Sequence, residues 1–449
     1  MAEGYGPHEN SEVVMRTPSS QRSTGRRNYL LAILEGLLNK MGMNLTNPGL
    51  VLPVFIRALG GSNTLVGMLS TLRFSGWYLP QFLVTAWMQP QPHKVPITVA
   101  MGISRAVIYG TLTVLTCTLS LSHPTLLLSL FFLLFVGSRL AAGTGGLARL
   151  DTFGKIIAPP QRASFFATRN FWGGIVVFGV GLLVRYLLDP TNGPPFPFDF
   201  TLLFALSTCS FLAAVLSFAR IQEPLDPIQQ AHRSLKDQLK RAPRLLKKDQ
   251  GLRRYLLSRV LFNMTRLAGP FYPIFALDIL GAPASMVGFY LSAMTLASVL
   301  SNLLWQKVGE TRGTYFLLKA SSLLTVLPPL LAATLLWLMR SLGFTVERYG
   351  LLPAYLFTGV FLLAGSSNSG RGAGLPALLL DISPDEERTT YIGLVNTVLG
   401  IVNFLPILAG AVIDRLGFAP VFAAATALLL LGYLTILKWN WKSMDNAHP

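Results

Sequence analysis

The stretch QRASFFATRNFWGGIVV, residues 161–177, returns in altered form as ERTTYIGLVNTVLGIVN, residues 387–403. At an offset of 226 residues Arg162 meets Arg388, Asn170 meets Asn396, and Gly174, Ile175 and Val176 meet Gly400, Ile401 and Val402. Phe165 faces Tyr391 in the same register. A second echo lies earlier in each copy: LPVFIRALGGSNTLVGMLS (52–70) against YPIFALDILGAPASMVGFYLS (272–292). Each pair sits at the same place within its half of the 449-residue chain, which reads as a duplication.

What is duplicated follows from composition. The chain is 51% hydrophobic and 13% charged, with mean hydropathy +0.50, where soluble domains carry about 25% charged residues. Apolar runs close to the ~20 residues that cross a bilayer recur along its whole length. Twelve spans are predicted, near 29–57, 64–88, 96–118, 125–148, 164–186, 200–219, 255–278, 286–306, 314–339, 352–380, 389–413 and 419–437. Six crossings per half is an even number, so both halves have the same topology. Parallel repeats of this kind are one of the known transporter architectures.

The net charge of +17 does not imply a polyanionic partner. With the N-terminus inside, 23 Lys and Arg fall on inner segments and five (Arg57, Arg185, Arg340, Arg348 and Arg415) on outer ones. That is the positive-inside bias, which places both termini in the cytoplasm of a multi-pass protein of the cell (inner or plasma) membrane. Nucleic acid is not expected as a partner. The expected organisation is a disordered tail (1–28), a six-helix bundle (29–219), a basic linker (220–254), a second six-helix bundle (255–438) and a short tail (439–449). The linker holds ten inward-facing cations, and residues 231–248 read either as a basic amphipathic helix on the inner leaflet or as a solvated connector. Cys117 and Cys209 fall inside spans and are expected to be buried thiols without a disulfide. The five histidines are terminal or in loops with no metal-ligand spacing, and no phosphate-cradling Gly-x-x-x-x-Gly-Lys-Ser/Thr occurs. No metal, cofactor or enzymatic chemistry is expected.

Over residues 28–440 the chain resembles the major facilitator superfamily of secondary transporters. In span four, FVGSRLAAGTGGLA resembles the family's Arg-x-x-Gln-Gly-x-Gly signature, with Arg139 in place and Ala142 in the Gln position. The loop between spans two and three departs from the family's Gly-x-x-x-Asp-Arg-x-Gly-Arg-Arg. It reads MQPQPHKVPIT, while its counterpart WQKVGETRGTY keeps Lys307, Gly309 and Arg312. The resemblance implies an all-α membrane fold of twelve helices in two pseudo-symmetric six-helix bundles. It also implies alternating access without a covalent step and a cavity lined by spans one, four, seven and ten. A non-transporting relative, such as a lipid- or pigment-delivery factor, is the alternative that the altered loop favours.

Polar residues found independently fall on those four spans. A charged side chain at mid-bilayer costs roughly 2.5–3.5 kcal/mol on insertion scales, so each is a candidate functional residue. Span one carries Glu35, Asn39, Lys40, Asn44 and Asn47, with Lys40, Asn44 and Asn47 on one helical face. Spans seven and ten each carry an Asn-x-x-Arg pair, Asn263/Arg266 and Asn368/Arg371. The expected substrate-binding set is Asn39, Lys40, Asn44, Arg139, Asn263, Arg266, Asn368 and Arg371. Its cationic balance points to a small organic anion. Glu35, the acid set deepest within a span, is expected to couple protons or to pair with Lys40 or an arginine. Pro48, Lys307, Gly309, Arg162 and Arg388 are expected gate or structural positions. Arg73 and Arg105 read as snorkelling or structurally paired, and Trp77, Trp305 and Trp337 as interfacial anchors. The expected partners are the lipid bilayer, a small-molecule substrate and protons, with the chain acting as a monomer.

Overall fold

The computed structural model describes residues 18–88, 91–224, 246, 249–344, 346–383 and 388–438. The linker around Lys240 and the tail 439–449 lie outside the described residues, as do the side chains of Trp77, Asp381 and Arg388. The described residues are helical, without a strand. The first half comprises α1 (Pro18–Leu45), α2 (Val51–Ala58), α3 (Asn63–Met88), α4 (Val95–Leu119), α5 (Pro124–Ile156), α6 (Arg162–Leu187) and α7 (Phe198–Ala219). The second comprises α8 (Gln250–Asn263), α9 (Thr265–Ala268), α10 (Tyr272–Asp278), α11 (Met286–Leu342), α12 (Val346–Tyr349), α13 (Leu352–Ile382), α14 (Arg388–Val402), α15 (Leu405–Leu416) and α16 (Phe418–Leu437). Seven of the described helical segments are long and apolar enough to cross a bilayer by length and composition alone. One of these, α11, is two helices joined through Gly313, whose φ of 79° only glycine adopts without strain.

The duplication is visible as packing. In the first half Phe55 of α2 meets Phe131 of α5 and Phe200 and Phe204 of α7, with ring centroids 5.5, 5.1 and 5.3 Å away. In the second half Phe275 of α10 meets Phe357 of α13 and Phe418 and Phe422 of α16 at 5.3, 5.4 and 5.3 Å. Phe55 and Phe275 hold the same place in the Leu/Tyr-Pro-Val/Ile-Phe echo, so one sequence motif seeds the same aromatic core twice. The opposite faces are greasy: Leu133, Leu303 and Leu408 are 70, 66 and 63% exposed. Leucines left open on that scale belong against lipid, because in water they would form a large apolar patch.

Several expectations are corrected here. Residues 18–28 are helical rather than a free tail, because Asn28 exchanges hydrogen bonds with Gln222 (2.8 and 3.1 Å) and Arg27 reaches the Arg220 carbonyl. Cys117 and Cys209 are free as expected, yet exposed on the outside of the bundle rather than packed within it. Trp305 is buried, its Nε1 donating to the Ser366 carbonyl at 2.9 Å, while Trp337 is 62% exposed as an anchor should be.

The two halves close on each other at the end carrying residues 57–64. Arg57 pairs with Asp278 at 2.5 Å across the halves. Asp414 at the end of α15 accepts from the backbone and side chains of Asn63 and Thr64, four bonds of 2.7–2.9 Å at the N-terminus of α3. A carboxylate there satisfies orphan N–H groups and complements the helix dipole.

Candidate functional site

Three of the long helical runs are interrupted at mid-length, and each interruption carries an asparagine. Span one breaks between Leu45 and Val51, where Pro48 cannot donate a helical bond. The Asn47 carbonyl collects the N–H groups of Leu50, Val51 and Leu52, and the Asn47 amide oxygen accepts from Gly49 N. The run of α8–α10 breaks after Asn263, and that of α14–α15 breaks at Asn403. Asn263 Nδ2 donates to Asn403 Oδ1 at 3.2 Å, tying those two breaks together. The expected continuous spans one, seven and eleven are thus each divided. Irregular backbone at membrane depth is tolerated where it lines a cavity.

All three breaks open on one cavity of about 520 Å³, within the range of small-solute sites. Its walls come from both halves: Asn47, Gly49, Ser70, Arg73 and Phe74 from the first, and α8, α9, α11, α13 and α14 from the second. Four arginines line it, Arg73, Arg259, Arg266 and Arg371, together with Asn263, Asn368, Asn396 and Asn403. No Asp or Glu is among the described residues lining it. Arg371, 9% exposed, donates to the Phe262 carbonyl at 3.1 Å and to Asn368 Oδ1 at 2.5 Å. The Asn-x-x-Arg spacing makes that second bond possible, one helical turn apart. The Arg266 guanidinium carbon stands 3.5 Å from the Phe74 ring centroid, and that of Arg73 lies 5.2 Å from the same centroid. An aromatic face attracts a cation, so Phe74 holds two guanidiniums near each other despite their repulsion.

The expected binding set divides cleanly. Asn263, Arg266, Asn368 and Arg371 line the cavity, whereas Asn39, Lys40, Asn44 and Arg139 are not among its lining residues. Those four belong to the packing of the first half. Asn39 Oδ1 accepts from Arg105 at 3.0 Å, and the Arg105 guanidinium lies 4.2 Å from the Phe211 ring. Lys40 donates to Asn170 Oδ1 at 3.0 Å, which gives the repeated asparagine of the opening stretch a role in joining α1 to α6. Asn44 bonds the Lys40 carbonyl and accepts from Asn47, continuing the predicted face toward the cavity. Arg139 is buried within α5, at 5% exposure. The counterpart of Asn170, Asn396, faces the cavity instead.

Sequence reasoning missed Arg73, Arg259, Asn396 and Asn403. Arg259 was legible, standing four residues before Asn263 and seven before Arg266 on one face. Arg73 was not: nothing on α3 distinguishes it from a snorkelling arginine, and only the fold brings it to Gly49. A Cβ on Gly49 would sit 2.9 Å from Arg73 Nη1. Gly49→Ala is therefore expected to displace that guanidinium and weaken solute binding several-fold while leaving the thermal midpoint nearly unchanged. Side-by-side titration and thermal unfolding of the variant check this.

Glu35 stands apart from the cavity, 3% exposed. Its two oxygens accept from Arg149 at 2.8 Å and Arg169 at 2.5 Å, so its partners are these arginines rather than Lys40. The Arg169 side chain crosses α1 at Gly36, where any Cβ would collide with it. Charge-assisted hydrogen bonds contribute about 1.5–3 kcal/mol each, and removing the carboxylate leaves two cations underpaired. Glu35→Gln is expected to lower stability by about 2 kcal/mol, readable as a fall in the thermal midpoint in detergent.

Of the expected gate positions, Arg162 caps a helix within its own half, donating to the carbonyls of Ile157 (3.2 Å) and Gly154 (2.6 Å) at the C-terminus of α5. Lys307 is exposed and Gly309 continues the helix beside Leu317. The altered loop before α4 is fastened to its own half too: Glu223 accepts from the backbone N–H of Lys94 and Val95 and from Lys155 Nζ at 2.8 Å.

The fold and this site define a helical membrane protein of two related halves enclosing a solute-sized, arginine-lined cavity. The sequence model for the Major Facilitator Superfamily matches residues 255–445. The fold likeness extends over nearly the whole chain. A bacterial homologue of the iron transporter ferroportin in an inward-facing state aligns with TM-score 0.66 and 15% identity, covering 92% of this chain and 98% of that one. A point mutant of the nucleoside transporter NupG aligns with TM-score 0.67 and 13% identity over 91% and 99%. A bacterial homologue of the human lysosomal transporter Spinster, inward-facing and unoccupied, aligns with TM-score 0.59 and 12% identity over 95% and 100%. No curated relative matches by sequence. The second half of the chain thus matches the superfamily by sequence, and the chain as a whole shares the fold of these transporters.

Proposed function

We propose that this chain is a secondary active transporter that carries a small organic anion by alternating access through the central cavity. The observation that carries the reading is the four-arginine lining of a 520 Å³ cavity shared by the two halves. Guanidinium groups stay protonated at physiological pH and bind carboxylate or phosphate through paired N–H donors. Asn263, Asn368 and Asn403 offer amide groups beside them for hydroxyls or carbonyls of the solute. Closure at the 57–64 end, through Arg57–Asp278 and the Asp414 cap, describes a carrier shut on one side. Twelve crossings with both termini and the linker cytoplasmic put that closed end outside, so the state is inward-facing. Cysteine placed at position 240 should then react only with reagent admitted to the cytoplasmic side.

The transport reading is tested by reconstitution. Purified protein in liposomes should show saturable uptake of labelled organic anions down an imposed gradient, and none of matched neutral amphiphiles. Saturable uptake of neutral solutes alone would replace the anion by an amphiphile. No saturable flux of either would favour a non-transporting assembly role.

A further inference from the structure

We propose that the solute carries two anionic groups. One is clasped between Arg73 of the first half and Arg266 of the second, and the other is taken by Arg259 and Arg371 within the second half. The inference rests on the anion-transport reading and goes beyond it by fixing valence and placement.

Four guanidiniums in one cavity repel one another, with Arg371 buried and Arg73, Arg259 and Arg266 half-buried. Arg371 feels the charges of both Arg259 and Arg266, so the four form a chain: Arg259, Arg371, Arg266 and, across Phe74, Arg73. A single carboxylate neutralises one link of such a chain and leaves the remainder self-repelling. Two separated anionic groups neutralise both ends. Interactions between charges this poorly solvated are several-fold stronger than the same contacts in water. The Nε groups of Arg259 and Arg371 are buried and have no acceptor among the described residues, and the Arg371 side chain is itself nine-tenths buried. This end of the cavity therefore has donors to spare.

The other end joins the halves. Arg73 is on α3 and Arg266 on α9, yet both guanidiniums lie within 5.2 Å of one ring centroid. An anionic group placed there bonds to both halves at once. Binding at that end favours any arrangement in which the two halves meet at Phe74, which is the differential affinity a conformational cycle requires. The Arg259–Arg371 end lies wholly in the second half and holds the solute whichever way the cavity opens.

The test uses the full chain in nanodiscs of zwitterionic lipid, so that anionic headgroups do not compete. Two ligand series are titrated: straight-chain α,ω-dicarboxylates of increasing length with their monoamides and diamides, and phosphate monoesters of glycerol and ribose with their methyl diesters. The proposal expects at least one dianion to bind 30-fold or more tightly than its singly charged analogue. Arg73→Gln and Arg371→Gln should each erase most of that preference. Equal binding of monoanion and dianion in every pair overturns the proposal. If that equal binding still depends on Arg371, the anion-transport reading survives alone. If no anion of either series binds in an arginine-dependent way, both fall.

Discussion

Arg371→Gln is expected to abolish anion-dependent thermal stabilisation and uptake while the unliganded protein folds as well as wild type. The side chain is held from two directions, by the Phe262 carbonyl and by Asn368 Oδ1, so its position is fixed before any solute arrives. Truncating one partner of a desolvated charge pair costs about 2–5 kcal/mol, and 1.4 kcal/mol is tenfold in affinity, so a loss of about 30-fold or more is expected. Glutamine keeps an amide donor for the Phe262 carbonyl and removes one of four mutually repelling cations. Stability should therefore hold or rise. Arg371→Lys separates charge from geometry: it keeps the cation and loses the fork, and should recover only part of the binding. Arg266→Gln should behave alike. Wild-type binding in both glutamine variants would reject an anionic solute.

The second large effect concerns the closed end. A Cβ on Gly288 would fall on the backbone of Arg185 and Gly181, one on Gly67 on the Pro406 carbonyl, and one on Gly410 on the Asn63 carbonyl. These are backbone atoms of the opposite half and cannot rotate away. Gly67→Val and Gly288→Val should hold α3 off α15 and α11 off α6, leaving each half folded. Uptake is expected to fall more than tenfold. Spin labels at Ser62 and Leu416, both exposed, should move several ångströms apart. An unchanged separation with normal transport would show that this end need not close.

Sequence alone reached the class of fold because two signals survive without three-dimensional context. Hydropathy registers lipid contact residue by residue, and the repeat at an offset of 226 registers duplication through residues that pack alike, as Phe55 and Phe275 do in the companion echo. Of the eight residues it singles out for binding, four line the cavity, since Asn263/Arg266 and Asn368/Arg371 are each spaced at one turn and a helix turns that spacing directly into a shared face. Lys40 and Asn44 follow the same spacing, and Arg139 is expected in the cavity only because the resemblance makes span four a lining span, yet none of the three lines it. Spacing says which residues share a face but not which way the face points. α1 turns Asn39 toward Arg105 of α4 and Lys40 toward Asn170 of α6, while Arg139 lies buried within α5.

The tertiary structure decided what depends on contacts between distant parts of the chain. Arg73 and Arg266 are 193 positions apart and converge only because the halves pack face to face on Phe74. Asn47, Asn263 and Asn403 are ordinary helix residues until each falls at a break, and the breaks meet around one cavity only when the bundles assemble. The sequence determined membrane residence, duplication and an excess of buried cations, all properties of local composition and period. The identity of the cavity's arginines and the pairing of Glu35 were settled by packing. A desolvated charge is satisfied by whichever partner the fold brings within hydrogen-bond reach, and that is a long-range property of the chain.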